Sequence, residues 1–287
     1  MAALNDIKRK ISAIRQTKQI TRAMNMVAGA KLRSVQGRME RFKPYAAKFK
    51  SVLSNLTSHI TEENTHPLLV NKNEIKRVEL LIFTADRGLC GNFNLSIITF
   101  AEKWMKEKKD INFSLNLIGK KGLEYFSKKS TPISDSHIQV YGSADISYVN
   151  KLTGNFINRF NSGDVDEVYM IFSEFRSISQ QKPTIVKLLP ITPPEMEEKE
   201  ANSKEYIYEP DPQSLLIELL PKHISVQIMN AFLQNETSEH AARMIAMDNA
   251  TRNCTELVDS LTLIFNKARQ AAITSELIDI VGGAEAL

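Results

Sequence analysis

From Leu4 to Ile60, apolar side chains recur at every third and fourth position with almost no break. One seam runs through Leu4, Ile11, Leu32, Met39, Ala46, Leu53 and Ile60. Its companion runs through Ile7, Ile14, Ala28, Val35, Phe42, Phe49 and Leu56. Together they follow a seven-residue repeat, the pattern that winds one helix around another. A second periodic run closes the chain through Val226, Met229, Leu233, Met247, Ala250, Cys254, Leu257, Leu261, Ile264, Ala268 and Ala271. Uncapped periodicity of this extent belongs to coiled coils, membrane spans or repeats rather than ordinary core helices. The first run would be roughly 85 Å long at about 1.5 Å per residue. Pro44 interrupts it at an outward heptad position, which predicts a local bend and not a stop.

The two runs differ in charge. Lys8, Arg9, Lys10, Arg15, Lys18, Arg22, Lys31, Arg33, Arg38, Arg41, Lys43, Lys48 and Lys50 face only Asp6 and Glu40 in the first run. Beyond Asp211 acids predominate, among them Glu218, Glu236, Glu239, Asp248, Glu256 and Asp259. Opposite charge beside an apolar seam favours pairing of the two helices with each other over self-association. Short connections to a compact middle domain would make the pair antiparallel. Each seam loses its apolar character once, at Lys18, Thr21 and Asn25 and at Glu236, His240 and Arg243. Buried polar groups are costly unless paired, so these defects are expected to face each other. Residues near 24 would then oppose residues near 243, leaving roughly the last twenty residues beyond the first helix. That stretch is rich in Ala, Gly, Ile and Val, and such an exposed apolar surface marks an interface with another protein.

The middle of the chain alternates between strand and helix patterns. Strands are expected at 78–85, 111–118, 137–141, 165–173 and 184–190, the last two as an edge hairpin. Helices are expected at 95–108, 122–129 and 144–161. Such alternation implies a Rossmann-like α/β layer with a largely parallel sheet. The proline- and glutamate-rich stretch 191–212 reads as a linker. The expected organisation is an N-terminal coiled-coil helix over 1–60, a central α/β domain with linkers over 61–212 and a C-terminal coiled-coil helix over 213–287. The fold class is thus α/β with a long antiparallel coiled coil of the two terminal helices.

A chain of 287 residues has room for one rod and one domain of ordinary size, and its net charge is only +4. No segment has the length and apolarity of a membrane span, and the N-terminus lacks a signal-peptide core. Cys90 and Cys254 lie far apart without metal-ligand spacing and read as small packed hydrophobes in a reducing compartment. Asp86 to Asn94 (DRGLCGNFN) forms a glycine-bearing turn after the first strand, where backbone amides could hold phosphate. It matches neither the dinucleotide fingerprint nor a Walker loop. A tight turn using the freedom of Gly88 and Gly91 accounts for it better. The five histidines are scattered, and Asp164, Asp166 and Glu167 read as a solvated loop at a strand start. No active site, cofactor site or metal site is expected.

Four stretches closely resemble one family. Ile7 to Leu32 (IKRKISAIRQTKQITRAMNMVAGAKL), Thr84 to Asn94 (TADRGLCGNFN), Ser238 to Thr251 (SEHAARMIAMDNAT) and Asn266 to Leu287 (NKARQAAITSELIDIVGGAEAL) are similar to the gamma subunit of bacterial F-type ATP synthase. The tail fits that family's ITxExx[DE]xxxGAx[AS] pattern through Ile273, Thr274, Glu276, Asp279, Gly283, Ala284 and Ala286. Between Ile111 and Gln213 the likeness is one of layout only.

The resemblance implies a central rotor shaft that couples proton-driven rotation of the membrane ring to ATP synthesis in the beta subunits. The coiled coil would enter the hexamer of alpha and beta subunits, and the central domain would bind the epsilon subunit and the ring of c subunits. The chain would be a non-catalytic subunit, peripheral on the cytoplasmic face of the bacterial inner membrane. Met24, Arg243, Gln270, Thr274, Glu276 and Asp279 match positions implied in rotor–stator coupling. No cysteine lies between Ile191 and Pro212, where chloroplast relatives carry a redox pair, so thiol control is not expected. Two other classes fit parts of the sequence. The basic first helix suggests nucleic acid, but its aromatics lie in the seam and form no stacking platform. The glycine turn suggests a nucleotide enzyme, for which nucleotide binding by the isolated chain would be diagnostic.

Overall fold

The computed structural model describes residues 2–57, 66–72, 74–108, 110–142, 144–192, 209 and 211–285; within the helices, the side chains of 2, 3, 212, 276, 279 and 282–285 lie outside the description. The chain forms two compact units. One comprises Met1–Ala30 with Arg243–Leu287, and the other comprises Lys31–Ala242. Among the described residues ten main elements follow in order: α1 (Ala2–Thr57), β1 (Arg77–Phe83), α2 (Phe93–Glu107), β2 (Asn112–Ile118), α3 (Lys120–Phe126), β3 (Ile133–His137), α4 (Ile146–Asn161), β4 (Glu167–Ser177), β5 (Gln180–Leu189) and α5 (Pro212–Glu285). The expected linker 191–212 lies mostly outside the described residues.

In the second unit the five strands form one sheet in the order β3-β2-β1-β4-β5. β1 pairs parallel with β2 and β4, β2 pairs parallel with β3, and β4 pairs antiparallel with β5. The expected edge hairpin is therefore present. Pro183 sits on the edge strand β5, where its missing N–H costs no ladder bond to a further strand. Every residue of β1 after Arg77 is buried, because both faces of the sheet are covered. Val78, Leu80 and Ile82 pack with Ile97 and Ala101 of α2 and Phe126 of α3. Leu81 and Phe83 pack with Phe156 and Phe160 of α4, Leu53 and Leu56 of α1, and Leu220, Ile228 and Phe232 of α5. Two-sided cover is why the sequence shows a continuous apolar run here instead of alternation.

Element ends in the centre of the chain differ from expectation by up to four residues, and one strand moves as a whole. β3 is Ile133–His137, not 137–141. Gln139 and Gly142 adopt positive φ, which ends the strand, and Val140 and Tyr141 turn into the core as loop residues. The apolar pattern of IQVY therefore reports packing, not sheet pairing. α4 starts at Ile146 because the Asp145 side chain accepts from the Tyr148 amide, a helix N-cap.

The loop DRGLCGNFN is fastened to neighbouring elements. The Ala85 amide donates to Asn94 Oδ1 at 2.8 Å, the Lys120 and Gln139 amides donate to Asp86 Oδ1 at 3.0 and 3.1 Å, and the Gly122 amide donates to Thr84 Oγ1 at 2.8 Å. These bonds tie the end of β1 and the turn to the start of α3 and to the loop after β3. Positive φ falls on Leu89 and Gly91, and Gly88 is not in that region. The most demanding glycine is Gly119, whose φ is 94° and where a Cβ would lie 2.1 Å from Thr84 O.

Asp166 and Glu167 are buried, contrary to the solvated loop expected from sequence. Asp166 accepts from the Lys76 and Arg77 amides at 3.0 and 2.9 Å and from Lys72 Nζ at 3.1 Å. Glu167 pairs with Lys187 Nζ at 2.6 Å and accepts from Tyr169 OH at 3.0 Å. Two acids at the start of β4 thus fasten it to β1 on one side and to β5 on the other.

Candidate functional site

The first unit is an antiparallel helix pair. Thr21 Oγ1 lies 2.8 Å from Thr251 Oγ1, and Asn25 Nδ2 donates to the Met244 carbonyl at 2.8 Å. A methyl group at Gly29 would lie 3.4 Å from Met244 Sδ, so the helices approach closely there. The expected opposition of residues near 24 and near 243 is met by the Asn25–Met244 contact. The expected matching of defects is not. Thr21 finds Thr251, and Asn25 finds a backbone carbonyl. Glu236, in the second unit, binds Arg38 at 2.8 Å.

Residues around Glu236 are polar for a reason the heptad pattern does not contain. Asn235 Oδ1 accepts from the Ser173 amide at 3.0 Å, Gln234 Oε1 accepts from the Phe175 amide at 2.9 Å, and Ser238 Oγ donates to the Ser173 carbonyl at 2.9 Å. This part of α5 bonds to strand β4, so its polar side chains answer a sheet as well as a helix. Burial pushes the Glu236 carboxyl above its usual range, with Arg38 opposing and Glu239 adding to the rise. The ion pair therefore fixes register and does not offset the whole cost of burial.

All described seam positions of α1 are buried or half-buried. In α5 the seam shifts. Thr251, Val258, Phe265 and Ala272 turn inward, while Leu257, Ile264 and Ala271, expected in the seam, are exposed. With Met247, Cys254, Leu261 and Ala268, the inward set alternates four and three residues apart. It accepts Thr251 as a seam residue because Thr21 faces it. Each hydroxyl carries one proton. Each also lies within reach of a carbonyl of its own helix, Thr251 Oγ1 2.7 Å from Met247 O and Thr21 Oγ1 3.1 Å from Lys18 O, so the pair has two protons for three bonds and either hydroxyl can donate across the seam. Polar residues at seam positions set register at a cost in stability. Replacing both threonines by valine should raise the unfolding free energy by about 1 kcal/mol. Denaturant titration checks this, and a loss of that size would make the hydroxyl pair a net stabiliser.

The apolar side chains displaced from the seam lie on the outside. Met26 is 61% exposed, Leu263 65% and Ile280 68%, accompanied by Ile20, Val27, Ile273, Leu277, Ile278 and Val281. Contiguous exposed apolar surface marks a contact with another protein. Met24 and Arg243 are half-buried, on adjoining turns of the pair. Gln270 and Thr274 are exposed on successive turns, Thr274 Oγ1 donating to the Gln270 carbonyl at 2.9 Å. They stand about 40 Å from Arg243 along α5. The expected site residues thus form two groups, not one. Glu276 and Asp279 lie on α5, with side chains outside the described residues. Sequence reading missed Met26, Val27 and Leu263, whose signal was apolar character off the repeat. Cys90 and Cys254 are buried and are not joined in a disulfide. Among the described residues no helix is long and apolar enough to cross a membrane.

These features define a two-helix partner surface joined by chain to an α/β domain, and comparison with known proteins agrees. A family model described as ATP synthase matches residues 3–287. The ATP synthase gamma chain of Syntrophobacter fumaroxidans is 46% identical over 290 residues, covering 100% of this chain and 99% of the relative. That of Nitratidesulfovibrio vulgaris strain Hildenborough is 48% identical over 292 residues, with coverage of 100% and 99%. The chain belongs to the ATP synthase gamma-chain family. In fold it is similar to a chain of the Euglena gracilis mitochondrial ATP synthase (OSCP/F1/c-ring, rotational state 3), with TM-score 0.69, 18% identity and coverage of 99% and 94%. A chain of the rotor from the same organism gives TM-score 0.63 at 19% identity, with coverage of 95% and 99%.

Proposed function

We propose that this chain is the central rotor shaft of a proton-translocating F-type ATP synthase. The observation that carries this reading is full-length identity of 46–48% to bacterial gamma chains. The exposed apolar surface of the helix pair supports it. We assign three segments to this role: an N-terminal coiled-coil segment, a central α/β domain with linkers and a C-terminal coiled-coil segment. The helix pair turns inside the hexamer of alpha and beta subunits, and the α/β domain binds the epsilon subunit and the ring of c subunits. Proton flow drives the ring and the shaft. Catalysis belongs to the beta subunits, and this chain is non-catalytic. It is held peripherally at the cytoplasmic face of the bacterial inner membrane through the ring.

A shaft in a sleeve must turn without adhering at any one angle. Short and apolar side chains such as Ala271, Ile278 and Ile280 make shallow, non-directional contacts. Charged and polar positions supply the angle-dependent part that biases each beta subunit between states. We assign that part to Arg243, Gln270, Thr274, Glu276 and Asp279, and add Met24 to the coupling set as an apolar contact. A tagged chain should co-purify with alpha and beta subunits and with ATPase activity; recovery of the chain without them would overturn the reading. Met24→Lys places a cation on a half-buried apolar position and should reduce ATP synthesis and ATP-driven proton pumping while hydrolysis persists. Unchanged pumping by inverted vesicles would remove Met24 from the coupling set.

A further inference from the structure

Two buried oxygen acceptors on neighbouring strands of the α/β domain meet no donor among the described residues. Glu79 of β1 is 0% exposed and Asn116 of β2 is 4% exposed. By register, Asn116 pairs with Leu81, two residues beyond Glu79, so both point to the sheet face that α4 covers. Glu79 Oε1 accepts from Arg159 Nη1 at 2.5 Å and from Ser134 Oγ at 2.6 Å. Among the described residues, Glu79 Oε2 and Asn116 Oδ1 have no hydrogen-bond partner. Both residues line a cavity of about 230 Å³, with Ser134, Asp135, Asn155 and Asn158 around them. That volume exceeds the share of one water several-fold.

The chemistry of the lining narrows the occupant. Its donor atoms are carboxylate, amide and hydroxyl oxygens, which suit hard cations and not soft metals. With Glu79 ionised, the Glu79 and Asp135 carboxylates and the Arg159 guanidinium leave an excess of one negative charge; burial raises the Glu79 pKa, with Ser134 and Arg159 opposing. Among the described residues no group of three His, Cys, Asp or Glu side chains gathers to hold a metal, so the cluster lacks the charge typical of divalent sites. A buried carboxylate oxygen beside a buried amide oxygen is costly unless a positive or donating group joins them.

We propose that this cavity binds one monovalent inorganic cation, sodium or potassium, through Glu79 Oε2 and Asn116 Oδ1. The ion ties edge strand β3 and the end of α4 to the centre of the sheet, because Ser134 and Arg159 already hold the other oxygen of the same carboxylate. This inference concerns the domain alone and stands apart from the rotor assignment.

The test uses the full chain at pH 8. Thermal unfolding is followed in sodium chloride, potassium chloride and N-methylglucamine chloride at equal ionic strength. The midpoint should be about 3 °C higher in one or both metal salts than in the glucamine salt. Glu79→Gln removes the charge and puts an N–H donor in place of the free oxygen, and Asn116→Leu removes the second ligand. Both variants should lose the difference between salts, whatever their absolute midpoints. Sodium-23 line broadening in the unsubstituted chain, relieved by potassium or by Glu79→Gln, reads binding without unfolding. Equal midpoints in the three salts with no line broadening, or a salt difference that survives in both variants, would overturn the proposal.

Discussion

Phe83→Ala should lower the unfolding free energy of the full chain by about 4 kcal/mol. Phe83 ends the central strand β1 and is completely buried. Its ring stands edge-on to Phe232 of α5 at 4.9 Å and 87°, and to Phe172 of β4 at 6.5 Å and 79°. Removing it takes away a large apolar area, two aromatic contacts and the packing between sheet and C-terminal helix within this unit. Trp104, the single tryptophan, packs on Tyr169 at 4.9 Å on the other face of the sheet, so its fluorescence reports unfolding without direct perturbation. Guanidinium titration measures the effect. A loss below about 1.5 kcal/mol would mean that neighbouring side chains collapse into the space, and the core would be softer than its contacts indicate.

Asp166→Ala should cost about 3 kcal/mol at neutral pH, because it strips partners from two backbone amides and weakens the anchoring of Lys72. Burial alone would raise the Asp166 pKa. The Lys76 and Arg77 amides, with the Lys72 and Arg77 side chains, outweigh it and hold the carboxyl at about 2. A depressed carboxyl pKa contributes stability that is present above the ordinary value near 4 and is lost as the pH falls toward 2. The difference between the native chain and the variant should therefore be largest above pH 4 and shrink steadily as the pH approaches 2. Stability curves against pH for both proteins check this, and a pH-independent difference would contradict it. Function should suffer indirectly, because β1 and β4 form the middle of the domain assigned to the epsilon subunit and the c-ring.

Much of the architecture was legible because it rests on periodicity. The seven-residue repeat of α1 needs only the spacing of Ile11, Ala28, Leu32 and Val35 along one helix, and all four are buried. The strand–helix alternation of the centre was legible for the same reason, and the fully buried β1 announced a sheet covered on both sides. β3 was misplaced because it carries few apolar residues and lies at an edge. Its pairing depends on main-chain bonds to β2 and not on side-chain pattern. Of the candidate site residues, Met24, Arg243, Gln270 and Thr274 came from family resemblance; their exposure and grouping came from the structure. Glu79 and Asn116 gave no warning in sequence, since one acid in VELLIF and one amide in FSLNLI say nothing about each other.

Sequence alone determined that both ends of this chain are long amphipathic helices and that an alternating α/β layer lies between them. Those facts follow from side chains repeating along a single element, which is local information. Tertiary structure decided what the interruptions at Thr21, Asn25 and Glu236 were for. Arg38 and Glu236 are separated by 198 positions, and Thr21 and Thr251 by 230. It also turned Leu257 and Ile264 outward and placed two unmet oxygens beside one cavity. Partner choice between distant residues depends on how elements pack, and no repeat along one helix encodes it.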